Sequence, residues 1–182
     1  MLYILLANGF EEIEALATVD IIRRANIDIR TVGIGANCIK GSHNISINTD
    51  VNINDIELTD DIDGVILPGG IPGTPNLEAN EKAMALLKFA YDSGKLVASI
   101  CAAPSIFGHL GFLDGVNATC YPGFEKDLRG AKVSSKACVT DNNIITAKGA
   151  GVSFQFAFAI VDYILKENNT SKKLGETMQC LR

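Results

Sequence analysis

No stretch of this sequence is apolar for long enough to cross a bilayer. The longest, Val152 to Leu165, is 14 residues interrupted by Gln155 and Asp162, whereas a span needs about 20 apolar residues. It reads as a core helix, and no membrane association is signalled. The amino terminus has no basic flank, and its run Leu2 to Ala7 passes straight into Asn8-Gly9 and three glutamates. That pattern is a buried strand, not an export signal. Grouped cations are missing too: Arg23-Arg24 and Lys172-Lys173 are the only adjacent basic pairs, and 16 basic against 21 acidic side chains leave a net charge of −5. A phosphate backbone needs several clustered cations, so nucleic acid is not an expected partner. The five cysteines, Cys38, Cys101, Cys120, Cys138 and Cys180, include no Cys-x-x-Cys pair. Odd in number and widely separated, they signal neither a disulfide framework nor a zinc site, and no metal or other cofactor is expected. Free thiols fit a reducing cytoplasm. Histidine is scarce, with His43 and His109 only.

What is present suits one domain over residues 1–182, since 47% apolar residues suffice to fill its core. Apolar runs of strand length (Leu2 to Ala7, Ile27 to Ile34, Val65 to Leu67, Leu96 to Ile100) alternate with helical patterns (Glu11 to Ala25, Asn76 to Ser93, Val152 to Lys166). That alternation predicts an α/β fold with a mostly parallel sheet. Polar and apolar residues alternate from His43 to Ile53, as in a half-exposed hairpin, and Ser134 to Thr146 predicts another, turning at Asp141-Asn142-Asn143.

Glycine and proline cluster at two strand ends, Leu67-Pro68-Gly69-Gly70 and Cys101-Ala102-Ala103-Pro104. In open parallel sheets the ligand crevice lies outside the carboxyl ends of the strands, so both loops belong on the functional edge. Cys101 falls at a strand-to-helix elbow with Pro104 in the first turn of the following helix. Backbone N–H groups and the helix dipole should lower its pKa and make a nucleophilic thiolate. A buried structural cysteine at the end of a core strand is the competing explanation. Gly69 and Gly70, with the N–H of Ala102, are positioned to form an oxyanion hole. Glu11, Glu12 and Glu14 open the first helix; two of them read as solvated, and one is expected in the crevice beside Cys101. His109 is eight residues past Cys101, about 12 Å along the same helix, and nothing local brings His43 to the elbow. A cysteine–histidine hydrolase is therefore not favoured.

Taken together, Gly9-Phe10-Glu11-Glu12-Ile13-Glu14, Leu67-Pro68-Gly69-Gly70, Ala98-Ser99-Ile100-Cys101-Ala102-Ala103-Pro104 and Lys148-Gly149-Ala150-Gly151-Val152-Ser153-Phe154 resemble the ThiJ/PfpI superfamily, in its DJ-one branch. The resemblance implies a flavodoxin-like three-layer α/β/α sandwich of the class I glutamine amidotransferase type, assembled as a homodimer. It also implies that Cys101 is a reactive, oxidisable cysteine, that Glu14 is its protonated partner, and that Gly70 and Ala102 supply the oxyanion contacts. Ala102 stands where protease-like members carry a histidine, which argues against peptide hydrolysis. Tyr121, in Cys120-Tyr121-Pro122, replaces another histidine of the branch. His43 and Arg24 match basic residues of an anion-binding patch, the first of them contributed across the dimer.

These expectations converge on a glyoxalase or deglycase type of enzyme acting on small reactive carbonyls through the Cys101 thiolate and Glu14. A redox-responsive stress protein or chaperone without turnover, in which Cys101 is oxidised to a sulfinate, is the alternative.

Overall fold

The computed structural model describes residues 1–180. Seven strands form the central sheet in the order β10-β11-β7-β6-β1-β2-β5. Its middle is β1 (Leu2–Leu6), paired in parallel with β2 (Ile29–Gly33) on one side and β6 (Gly64–Leu67) on the other. β7 (Leu96–Ile100) continues in parallel beside β6, followed by β11 (Ile144–Ala147). The edges are β5 (Val51–Asn52), parallel to β2, and β10 (Cys138–Asp141), the sheet's one antiparallel strand.

Strand side chains point to alternate faces, and each face has its own apolar core. On one face Leu5, Val65 and Val97 pack with Leu86 and Leu87 of α3 (Glu81–Asp92) and Phe107 of α4 (Pro104–His109). On the other, Ile4, Leu6, Ile66 and Ala98 pack with Val19 and Ile22 of α1 (Glu12–Arg24) and Phe156 and Ile160 of α5 (Ser153–Leu165). Ile4, Leu5, Leu6 and Ile66 are all fully buried. Each such side chain contributes about 1.5–3 kcal/mol. Helix–sheet–helix layering follows from strands that are apolar on both faces. No helix among the described residues is long and apolar enough to cross a membrane.

Two expectations need correction. The helix anticipated over Asn76 to Ser93 is two helices, α2 (Gly73–Glu78) and α3. Asn80 separates them, its side chain accepting from the N–H of Ala83 at 2.9 Å in an N-cap. The hairpin expected over His43 to Ile53 starts earlier. Its strands are β3 (Cys38–Lys40) and β4 (Ser46–Asn48), and His43 lies in the turn between them. Val51 and Asn52 leave it to join β2 in parallel. Asp50 makes that switch, because its Oδ2 accepts from Thr31 N–H at 2.8 Å and from Arg23 at 2.7 Å. The second hairpin forms as expected, with β10 and β11 turning through Asn142 at φ 52°. The remaining strands and α-helix are β8 (Asn117–Ala118) paired with β9 (Lys132–Val133), and α6 (Asn169–Thr177) against α5.

β1 sits where the chain reverses its direction across the sheet, between β2 and β6. Loops after β1, β6 and β7 therefore meet at one carboxyl edge, the place where such sheets hold ligands.

Candidate active site

Cys101 follows β7 directly and has φ 66°, the left-handed region. For a residue with a Cβ this costs about 1–2 kcal/mol, so the surroundings must impose it. Cys101 N–H donates to Ala147 at 2.9 Å and its carbonyl accepts from Tyr121 N–H at 2.8 Å, which clamps both sides of the residue. α4 begins only at Pro104 and spans six residues. The helix dipole is thus shorter and more distant than the sequence suggested. Backbone N–H groups act instead, those of Ala102 and Gly70 reaching the sulfur.

Glu14 lies in the first turn of α1 and is 1% exposed. Gly69 N–H donates to its Oε2 at 2.8 Å, and its carboxyl interacts with the Cys101 side chain. Oε1 is buried with no conventional partner. A carboxylate oxygen without a donor is costly in that setting, while a carboxylic acid relieves the cost because its own O–H donates. Burial accordingly raises the Glu14 pKa to about 7, against the opposing pull of the Gly69 N–H. Burial also raises the Cys101 thiol to about 12, the Glu14 charge adding to it and the N–H groups of Ala102 and Gly70 offsetting part. This corrects the expectation of a simply acidic thiol. Beside an ionised Glu14 the thiolate is disfavoured, and only a protonated Glu14 supports it.

The Pro-Gly-Gly turn is required by space. A Cβ on Gly69 would stand 2.6 Å from the Cys101 Cβ and 2.9 Å from Glu14 Oε2. Gly70 has φ 96°, and a Cβ there would lie 2.4 Å from the Gly9 carbonyl oxygen. Gly69 does not join the expected oxyanion contacts, because its N–H is used on Glu14. Gly70 and Ala102 do point at the sulfur.

The other two glutamates are not a solvated helix start. Glu12 is 4% exposed. It accepts from the His43 N–H at 2.8 Å and pairs with His43 Nδ1 at 3.0 Å, while Ser42 bridges Glu11 and Glu12 at 3.2 Å to each. Glu11, Glu12 and His43 are the described group whose donor atoms could hold a metal ion, all within 4.8 Å. Their hydrogen bonds fasten the β3–β4 turn onto α1. Within this chain His43 thus belongs to Glu12. Arg24 sits at the far end of α1, paired with Asp20 at 2.6 Å, about 15 Å along the helix from Glu14. Within this chain Arg24 is therefore paired away from Cys101 and His43 is engaged by Glu12. His109 pairs with Glu78 at 2.6 Å.

Two residues were undervalued by sequence reasoning. A Cβ on Gly149 would come 3.2 Å from Tyr121 Cδ2 and 3.9 Å from the Cys101 sulfur, which places Tyr121 and Gly149 around the thiol. They line an open hollow of about 210 Å³ with Pro122, Lys148 and Val152. A larger one, about 480 Å³, lies between α5 and α6, and Cys101 is not among its lining residues.

A family model described as DJ-1/PfpI matches residues 1–163. The chain belongs to that family. Protein dj-1beta of Drosophila melanogaster is 33% identical over 162 residues, covering 87% of this chain and 86% of that one. A protein of Pyrococcus abyssi named as a deglycase is 30% identical over 150 residues, 81% of this chain and 89% of its own. The crystal structure of a DJ-1 superfamily protein from Salmonella typhimurium, solved as a cysteine-to-alanine mutant, superposes with TM-score 0.94. It is 30% identical and covers 100% of this chain and 98% of the other. The fold of this family member is flavodoxin-like, as the sequence resemblance implied.

Proposed function

We propose that this DJ-1/PfpI chain is a cysteine-dependent enzyme of glyoxalase or deglycase type acting on small reactive carbonyls. The observation that carries the reading is the enclosed Glu14–Cys101 pair, with the N–H groups of Gly70 and Ala102 at the sulfur. The deglycase name of the Pyrococcus abyssi relative supports the same class. In the proposed step the Cys101 thiolate attacks the carbonyl carbon, a C–S bond forms, and the C=O π electrons move to oxygen. Glu14 gives that oxygen its proton, and backbone N–H groups stabilise the charge while it develops. From an α-oxoaldehyde, the resulting hemithioacetal loses its C–H proton to the Glu14 carboxylate to give an enediolate, its hydroxyl proton passes to the neighbouring oxygen, and Glu14 returns the first proton to the neighbouring carbon as the C=O re-forms beside sulfur. A thioester is left, and water hydrolyses it to a hydroxy acid and the free thiol. The sequence of steps is redox-balanced within the substrate and needs no cofactor. Lactate formation from methylglyoxal tests it: Cys101→Ser should abolish turnover, and Glu14→Gln should reduce it by about 10²-fold or more.

A second reading draws on the same N–H groups. They would hold the oxygens of a Cys101 sulfinate, and the chain would then report oxidation without turnover. Peroxide titration followed by intact mass, run beside the methylglyoxal assay, separates the two.

Assembly and location are part of the proposal. Ile13 and Leu16 are exposed at i,i+3 on α1, and Ile45 is exposed on the neighbouring β3–β4 turn. We assign this apolar patch to a homodimer interface. Five unpaired cysteines support a cytoplasmic location.

A further inference from the structure

Asn8 and Gly9, between β1 and α1, are bonded on two sides. Toward the β3–β4 hairpin, the Lys40 N–H donates to Asn8 Oδ1 at 2.9 Å and the Lys40 carbonyl accepts from the Gly9 N–H at 2.8 Å. Toward α2, the Asn76 side-chain amide donates to the Asn8 carbonyl at 2.8 Å, and the Gly73 N–H donates to the Gly9 carbonyl at 3.1 Å. Both asparagines are exposed, so neither fills the core. The strap they fasten lies against the Pro-Gly-Gly turn. Glu11 N–H donates to the Gly69 carbonyl at 2.9 Å. A Cβ on Gly70 would strike the Gly9 carbonyl oxygen and lie 2.5 Å from the Glu11 nitrogen, which puts the Gly70 backbone in contact with both. A displacement of Gly9 therefore displaces Gly70.

We infer that Asn8 and Asn76 are positioning residues for Cys101: they brace the β1–α1 loop between the β3–β4 hairpin and α2, and the braced loop holds the Gly70 N–H on the sulfur. The inference rests on the carbonyl reading above in taking Cys101 as the reacting group. The two N–H groups at the sulfur differ in how they are held. Ala102 is the next residue after Cys101 and moves with it, whereas Gly70 comes from the end of another strand and needs a support of its own. Hydrogen bonds weaken steeply as their angle departs from linear, and those to an ionised acceptor are the strong ones. A small tilt of the Gly70 peptide thus costs the thiolate more than it costs the neutral thiol. Neither asparagine acts on the sulfur directly; each acts through backbone that it holds in place.

The test follows Cys101 alkylation by iodoacetamide against pH, mapped by peptide mass. Asn76→Ala removes the side-chain donor at an exposed helical position where alanine is the better helix former, and melting curves establish that each variant is folded. With the Gly70 N–H less well aimed, less of the charge shared with Glu14 resides on sulfur. The rate above pH 7 should fall by about three- to tenfold, while the midpoint near 7, which belongs to Glu14, stays in place. Asn8→Ala should give the same pattern, and Asn76→Gln, which keeps an amide donor, should stay within about twofold of the wild-type rate. A lower melting temperature with an unchanged alkylation profile in Asn76→Ala and Asn8→Ala would reduce the brace to a structural one and overturn the inference. A loss in Asn76→Gln as large as in Asn76→Ala, or a moved midpoint at unchanged rate, overturns it too. Methylglyoxal turnover is read separately: if the wild-type chain shows none, the catalytic reading fails while the alkylation profile still judges the brace.

Discussion

Gly69 donates its N–H to Oε2 of Glu14 at 2.8 Å from a position where a side chain would strike Cys101. One glycine thus orients the carboxyl and leaves room for the thiol. Gly69→Ala forces its methyl to within 2.6 Å of the Cys101 Cβ and 3.0 Å of the Ile100 carbonyl oxygen. Overpacking of this kind costs about 1–3 kcal/mol. A lower melting temperature together with slower Cys101 alkylation is expected. Gly151→Ala, which meets nothing within 4 Å, should change neither, and equal effects from the two variants would refute the argument.

His43 is held by Glu12, and the pair has its own pH signature. The hydrogen bond to Glu12 raises the His43 pKa above 6.5. For a raised base, the stability it contributes is full below 6.5 and is lost as pH rises through the folded value. Burial works to raise Glu12, but its hydrogen bonds, from its own N–H and from His43 and Ile45, prevail and lower it from 4.5. That contribution is present above 4.5 and is lost as pH falls through the folded value. The β3–β4 turn should therefore be fastened best between the two. His43→Gln should flatten the fall in stability above pH 6.5, measured by urea unfolding across the range. An NMR titration placing His43 at or below 6.5 would remove the effect.

Much of this architecture was legible because it depends on local pattern. β1, β6 and β7 are apolar on both faces and read as continuous runs, and α5 keeps its helical spacing. Cys101 and Gly69-Gly70 were visible as breaks at strand ends. Glu12 was not, because a carboxylate in the first helical turn looks the same in sequence whether it faces water or folds back onto Ser42 and His43, some 30 residues later. Gly41 was the available clue, since a Cβ there would lie 2.3 Å from the Glu12 carboxyl carbon. The early end of the hairpin turned on Asp50, a contact with β2 that alternation of polarity cannot register.

The patch of Ile13, Leu16 and Ile45 gives the homodimer its test. Ile13 is 59% exposed, so Ile13→Asp leaves the core untouched while placing a charge in the proposed interface. Sedimentation at micromolar concentration should show the parent chain as a dimer and the variant as a monomer of unchanged melting behaviour at low concentration. A parent chain that sediments as a monomer would dispose of the interface.

Glu14 and Cys101 should titrate as a pair. The first proton leaves near pH 7, where burial has placed the carboxyl, and the second near 12, where burial and the Glu14 charge have placed the thiol. Between these values one negative charge is divided between carboxylate and thiolate, and its division is constant with pH. Because the thiolate is the reacting form, the alkylation rate of Cys101 should climb through pH 7 and then hold a plateau. Glu14→Gln removes the carboxylate and keeps an amide N–H as donor, so the plateau should vanish and the thiol titrate in one step below 12. Glu14→Leu also removes the donor. Hydrogen bonds to charged groups contribute about 1.5–3 kcal/mol, so the leucine variant should titrate about one to two units above the glutamine variant. The pair has a stability signature of opposite origin to an ordinary surface carboxylate. A carboxyl raised from 4.5 to about 7 contributes fully below 4.5, and that contribution is lost as pH rises through 7, about 3 kcal/mol in all. Glu14→Gln should erase this loss. A wild-type alkylation profile without a plateau, combined with no change in the pH dependence of unfolding in Glu14→Gln, would mean that the two groups ionise independently, and Cys101 would then be left with backbone N–H groups alone to support its thiolate.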